Sequence, residues 1–194
     1  VGAGIGNISS FFLDKKPLTL TDVDDMFVSH LSKKFKGVKT LKLDITKPPS
    51  SFLMGKHGTV VAINTLEHIE KDEEALINLK KTLKKKGRIV LLVPAKKKAF
   101  NKLDKELGHY RRYEKKELID KLKSAGFEVE SVKFFNVLGL VTWIVRNYLT
   151  GQNVHLTSRQ IAMFDLIVPF LKRIESDFPM PIGISLIAVA RYEK

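Results

Sequence analysis

The sequence predicts an α/β fold, a mostly parallel sheet with helices on both faces. Three observations predict it. Short apolar or alternating runs take turns with helix-period segments, as successive βαβ units do. A glycine cluster, Val1-Gly2-Ala3-Gly4-Ile5-Gly6-Asn7, has the composition of a ligand-binding turn between a strand and a helix. Asp22, Asp44 and Asn64 then close successive strand candidates at their carboxyl ends, where open parallel sheets bind ligands.

The glycine loop reads Gly-x-Gly-x-Gly, with Asn7 where a dinucleotide fingerprint has its last glycine. That spacing favours a nucleoside with a short charged tail over a pyrophosphate. A helix is expected over residues 7 to 14. Residues 17 to 22 read as a short strand ending in Asp22, at the distance from Gly2 where a βαβ unit offers a carboxylate to ribose hydroxyls. A helix over 25 to 36 places Met26, Phe27, Leu31 and Phe35 on one apolar face, and Gly37 ends it. A strand over 38 to 44 ends in Asp44. Residues 58 to 64 form a nearly continuous apolar run, as a strand covered on both faces requires.

The loop Thr65-Leu66-Glu67-His68-Ile69 leads to a helix over 71 to 85. Ala75, Leu76, Leu79 and Leu83 are its buried stripe and Gly87 its stop. Residues 88 to 93 are the next strand. The polar stretch 95 to 113 is long for a connection, and such loops commonly serve as lids. A helix over 114 to 124, a strand over 127 to 135, an apolar helical insertion over about 137 to 175 and a last strand over 183 to 192 complete one domain spanning 1 to 194.

The chain has 194 residues, is 44% hydrophobic and 28% charged, and lacks cysteine. These are the proportions of a globular protein without disulfides or thiolate metal sites. With no leader or 18-residue apolar run visible, a cytoplasmic location is expected. The net charge of +13 invites an anionic partner. However, the lysines are spread over most helices (Lys33-Lys34, Lys80-Lys81, Lys84-Lys85-Lys86, Lys115-Lys116), as on a solvated surface, so nucleic acid is the lesser expectation.

In its motifs the chain resembles the class I S-adenosylmethionine-dependent methyltransferases, in particular the type 11/12 small-molecule subgroup. GAGIGN is similar to that family's glycine loop, TDVDD to the acidic end of its second strand and LKLDI to its third-strand acid. VVAINTLEHIEKDEEAL is similar to its fourth-strand motif. GRIVLLVPA, AGFEVESVKFFN and ISLIAVAR are similar to its fifth, sixth and seventh strands. The resemblance implies a Rossmann-like three-layer sandwich. Its mostly parallel seven-stranded sheet has an antiparallel last strand, and its first strand is truncated in this chain. Thr59 stands where the family usually has an aspartate.

The resemblance also implies a cofactor, S-adenosyl-L-methionine, converted to S-adenosyl-L-homocysteine. Gly2, Ala3, Gly4, Gly6 and Asn7 would line its methionine part. Asp22 would take the ribose hydroxyls and Val23 would pack on adenine. Asp44 would accept the adenine amino group beside Ile45, and Asn64 and Leu66 would lie near the sulfonium.

Methyl transfer from a sulfonium is an in-line displacement, so alignment matters most, and an oxygen or nitrogen acceptor can need a general base. His68, His109 and Tyr110 are the candidates for catalytic roles. Arg111, Arg112 and Tyr113 are candidates for the acceptor, since planar guanidinium donors suit phosphate or carboxylate. One arginine should touch the acceptor and the other should hold the loop through Glu106 or Glu114. No metal is expected, because His30, His57, His68, His109 and His155 show no ligand spacing.

A small acceptor, anionic or lipid-linked, is the first expectation. In the insertion, Trp143, Arg146, Tyr148, Lys172 and Arg173 would suit peripheral contact with the inner face of a membrane. RNA methylation and a non-catalytic binding remnant are the alternatives. After Asn64, Thr65-Leu66-Glu67 departs from the tetrapeptide of base-methylating enzymes.

Overall fold

The computed structural model describes residues 1–137, 139, 140 and 181–193. Most of the expected helical insertion, including Trp143, Arg146, Tyr148, Lys172 and Arg173, lies outside the described residues. Six strands are described: β1 (Thr19–Asp22), β2 (Lys39–Lys42), β3 (His57–Ile63), β4 (Leu83–Pro94), β5 (Glu128–Phe135) and β6 (Ser185–Arg191). They form two sheets, β1-β2 and β3-β4-β6-β5. The β1/β2 and β3/β4 pairs are parallel, while β6 runs antiparallel to both neighbours, as expected of the last strand.

Residues 1–3 bridge the two sheets. The Val1 nitrogen donates to the Val61 carbonyl at 2.8 Å, and the Ala3 N–H donates to the Thr21 carbonyl at 3.0 Å. The glycine loop therefore lies between β1 and β3, at the carboxyl ends of both strands.

Helix α1 (Asp25–Lys34) starts where the Asp24 carboxylate accepts the Met26 N–H at 2.7 Å. Leu31 and the following Phe35 are buried against Leu20, a small core of their own. Met26, expected on the same apolar face, is 65% exposed instead.

Helix α2 (Asp72–Thr82) has three acids in its first turn and two lysines in its last, both favourable to the helix dipole. It ends at Thr82, earlier than the expected stop at Gly87. The Thr82 hydroxyl donates back to the Leu79 carbonyl at 2.7 Å, and Leu83 already pairs with His57 as the first residue of β4. Gly87 instead sits inside β4, where a Cβ would come within 3.1 Å of the Gly58 carbonyl oxygen. The large core lies between α2, α4 (Lys115–Ser124) and the four-stranded sheet, around Leu76, Leu79, Ile89, Leu91, Leu118 and Leu186.

Two expectations on loops change. The helix expected over 7 to 14 is only a 3-10 turn at Ser9–Phe12. Ser10 bonds back to the Asn7 carbonyl at 2.7 Å, and Phe11 is 78% exposed, so no buried face stabilises a longer helix. The stretch 95 to 113 is not a plain loop. It contains a 3-10 turn (Lys97–Ala99) and helix α3 (Lys102–Glu106), and a bridge between Ala95 and Tyr113 closes its base. No helix among the described residues is long and apolar enough to cross a membrane.

Candidate functional site

Asp22 ends β1 with its carboxylate 7% exposed. Its Oδ2 accepts the Gly4 N–H at 2.8 Å and its Oδ1 accepts the Asp24 N–H at 3.1 Å. An ionised carboxylate has about four acceptor sites, so it retains capacity for further donors. The pattern suits a ligand bearing neighbouring hydroxyls.

The three glycines have different reasons. Gly4 holds φ +52°, and no atom lies within 4 Å of where its Cβ would stand, so that side of the loop is open. Gly2 and Gly6 face the protein instead. A Cβ on Gly2 would come 2.7 Å from Thr65 Cγ2, and one on Gly6 would come 2.9 Å from Leu31 Cδ2. They press the loop onto the end of β3 and onto α1, and Gly4 and the half-buried Ala3 remain beside the open space. Asn7 is exposed at the far end.

Val23 is 56% exposed and offers an apolar face next to Asp22. Asp44 is held locally. Its Oδ1 accepts the Thr46 hydroxyl at 2.6 Å and the Thr46 N–H at 3.0 Å, and these bonds hold its carboxyl below the usual range although burial opposes them. The side chains of Ile45 and Leu66 belong to the large core, which leaves their backbones to the site. Asn64 is exposed at φ 47°, the left-handed turn that ends β3.

The segment after β3 meets the loop after α3. The Tyr110 N–H donates to the Glu67 carbonyl at 2.8 Å. His68 and His109 lie edge to face with ring centroids 4.7 Å apart. His109 Nδ1 is 2.9 Å from Asp104 Oδ1, and His68 Nδ1 is 3.3 Å from the Gly108 carbonyl. Burial, then the neighbouring His109, lowers the His68 pKa. The Glu67 carboxylate is 1% exposed, and its Oε2 has no hydrogen-bond partner. Burial pushes its pKa up to about 7. Tyr110 is 55% exposed beside these groups.

The arginine-tyrosine segment is tied inward. Arg112 Nε contacts both Asp104 oxygens at 2.9 Å, and its Nη1 donates to the Ala95 carbonyl at 3.4 Å. The loop-holding carboxylate is thus Asp104 rather than Glu106 or Glu114. Tyr113 is fully buried, with its hydroxyl donating to Asp72 at 2.9 Å. A buried ring of this kind has no surface left to stack on an acceptor. Arg111 donates to the Glu70 carbonyl at 2.6 Å and pairs with Asp72 at 3.0 Å, yet keeps 24% of its side chain exposed.

Sequence reasoning missed Asp104 and Asp72. Asn101-x-x-Asp104 was the available signal, since the two side chains form a capping box that fixes Asp104 at the start of α3.

The methyltransferase-domain family matches residues 1–91. A highly reducing polyketide synthase from Fusarium is 29% identical over an alignment of 106 residues, and the match covers 47% of this chain. The chain spans only 4% of that protein's length. Among solved structures, a protein of Bacillus halodurans described as a methyltransferase covers 100% of this chain and 90% of its own, at 20% identity and a TM-score of 0.66. A TehB-like S-adenosylmethionine-dependent methyltransferase from Corynebacterium glutamicum gives 100% and 77%, 16% identity and a TM-score of 0.61. At these identities the structural likeness is one of fold.

Proposed function

We propose that this chain is a class I S-adenosylmethionine-dependent methyltransferase that transfers its methyl group to an oxygen or nitrogen of a small anionic acceptor, free or lipid-linked. One observation carries the reading: a buried carboxylate, Asp22, is aimed by two backbone N–H groups beside the open face of Gly4. S-adenosylmethionine, when bound, supplies a methyl group already activated by its positive sulfur.

The chain's own residues do the rest. Asp22 would accept the ribose hydroxyls with its remaining lone pairs, and charge assistance makes such bonds strong. Val23 would give the adenine ring an apolar neighbour, and Asp44 and Asn64 would supply polar edges. On the acceptor side, Asp104 holds the His109 ring through Nδ1, which leaves Nε2 to take a proton from the acceptor. His68 and Tyr110 border the same space. Arg111 is the arginine with charge still partly in solvent, so it is the group for an anionic acceptor, while Arg112 is spent on Asp104.

Calorimetric titration tests the reading. S-adenosylmethionine should bind with one site, and Asp22→Ala should weaken it about tenfold or more, as loss of charge-assisted bonds predicts. Unchanged affinity would remove the assignment. A carbon acceptor is the second reading, favoured by the polyketide synthase match and by a likeness to the CMeT domain of citrinin polyketide synthase at a TM-score of 0.63. Mass spectrometry of the methylated product on matched hydroxyl and carbon acceptors separates the two.

A further inference from the structure

We propose that Glu67, His68 and His109 together bind one divalent first-row metal cation of the zinc kind. One ligand atom from each residue can be chosen so that all three lie within 4.8 Å of one another. Ligand atoms around one ion, at bonds of about 2.1 Å, lie at most about 4.2 Å apart. Side-chain shifts of less than about an ångström bring atoms 4.8 Å apart to that spacing.

Three further features suit a cation. First, both imidazoles are oriented from behind. His109 Nδ1 faces the Asp104 carboxylate at 2.9 Å, and His68 Nδ1 faces the Gly108 carbonyl at 3.3 Å. Each acceptor selects the tautomer that carries its proton on Nδ1, so Nε2 keeps the lone pair that a metal needs. Carboxylates and backbone carbonyls commonly play this part behind metal-binding histidines.

Second, Glu67 Oε2 is buried without a hydrogen-bond partner. Burying a charged oxygen unpaired is costly, and a bound cation satisfies it. The nearby Arg112 does not, because its Nε and Nη1 are committed to Asp104 and the Ala95 carbonyl. Third, two imidazoles and one carboxylate form a borderline donor set. It suits zinc and its neighbours better than magnesium or calcium, which prefer all-oxygen ligands. Three protein ligands also leave a coordination position for water or a substrate oxygen.

With a cation bound, His109 Nε2 is a ligand and no longer the base proposed above, and the test of the site needs no methyl transfer. The chain is stripped with a chelator and titrated with Co²⁺, followed by visible absorption, and then with Zn²⁺ by calorimetry. One equivalent of Co²⁺ should give ligand-field bands that Zn²⁺ abolishes. Glu67→Gln and His68→Ala should each weaken binding about tenfold or more, while His30→Ala, at an exposed histidine in α1, should leave it unchanged. His68 is itself exposed, so its alanine variant keeps the fold and remains informative if Glu67→Gln does not fold. Absence of saturable binding overturns the proposal, as does a His68→Ala chain that binds as the parent does. An equal loss from His30→Ala would do the same.

Discussion

Asp22 closes β1 and Glu67 follows β3, on either side of the segment that bridges the two sheets, and both carboxylates are buried. Around Asp22 the backbone supplies the partners, one N–H from Gly4 and one from Asp24. The core behind it is small, with only Leu20, Leu31 and Phe35 buried. Around Glu67 the core is large, yet one carboxylate oxygen has no donor, and two imidazoles stand close by instead. A buried carboxylate is tolerable when N–H groups or a cation meet it. The first region is furnished with N–H groups and can accept hydroxyls from a ligand. The second brings one ligand atom from each of two imidazoles and a carboxylate within 4.8 Å of one another, which suits a cation.

The comparison can be broken at Arg112. Its ion pair with Asp104 is almost completely buried, with side chains 9% and 1% exposed. Arg112→Ala would leave that carboxylate uncompensated and should destabilise the chain by about 3–5 kcal/mol in chemical denaturation. A loss below about 1 kcal/mol would show that Asp104 finds other partners, and that the His109 side is not built on this pair.

Neutralising each carboxylate sharpens the contrast, because the signs should differ. Asp22→Asn points an amide NH₂ at a backbone N–H, and the unsatisfied donor should cost roughly 1–3 kcal/mol. Glu67→Gln removes a carboxyl whose ionisation burial opposes, and above pH 7, where that carboxyl is charged, should raise the stability of the metal-free chain by about 1 kcal/mol. Thermal unfolding of both variants in chelator-containing buffer reads the two signs. If both are destabilised alike, the two carboxylates are not different in kind. The smallest effect belongs to the surface. Lys42 pairs with Asp25 at 2.5 Å with both side chains exposed, so Lys42→Ala should leave the unfolding midpoint unmoved.

Much of the cofactor side was legible in the sequence, since its chemistry is local. The loop from Gly2 to Gly6, a strand ending in Asp22 and the helix that follows it all lie within one βαβ unit. Even here the sequence treated the three glycines alike, whereas Gly2 and Gly6 answer to Thr65 and to Leu31 and Phe35, residues far along the chain. The acceptor side was legible only as a cluster of suitable residue types. Nothing near Arg112 in the sequence says that it is spent on Asp104, or that Tyr113 is spent on Asp72, because both partnerships close only when α3 and α2 are in place.

The sequence by itself determined the order of the strands, the glycine loop and the carboxylate that closes β1. Periodicity, glycine and chain-local spacing act over a few residues, and no distant contact is needed to express them. Only the tertiary structure decided which arginine is buried, that Glu67 lacks a donor, and that His68 and His109 meet edge to face. Those outcomes depend on where two loops are pinned, one after β3 and one after α3, and the pinning comes from hydrogen bonds between residues far apart in sequence, His68 with Gly108 at 40 positions and Tyr113 with Asp72 at 41.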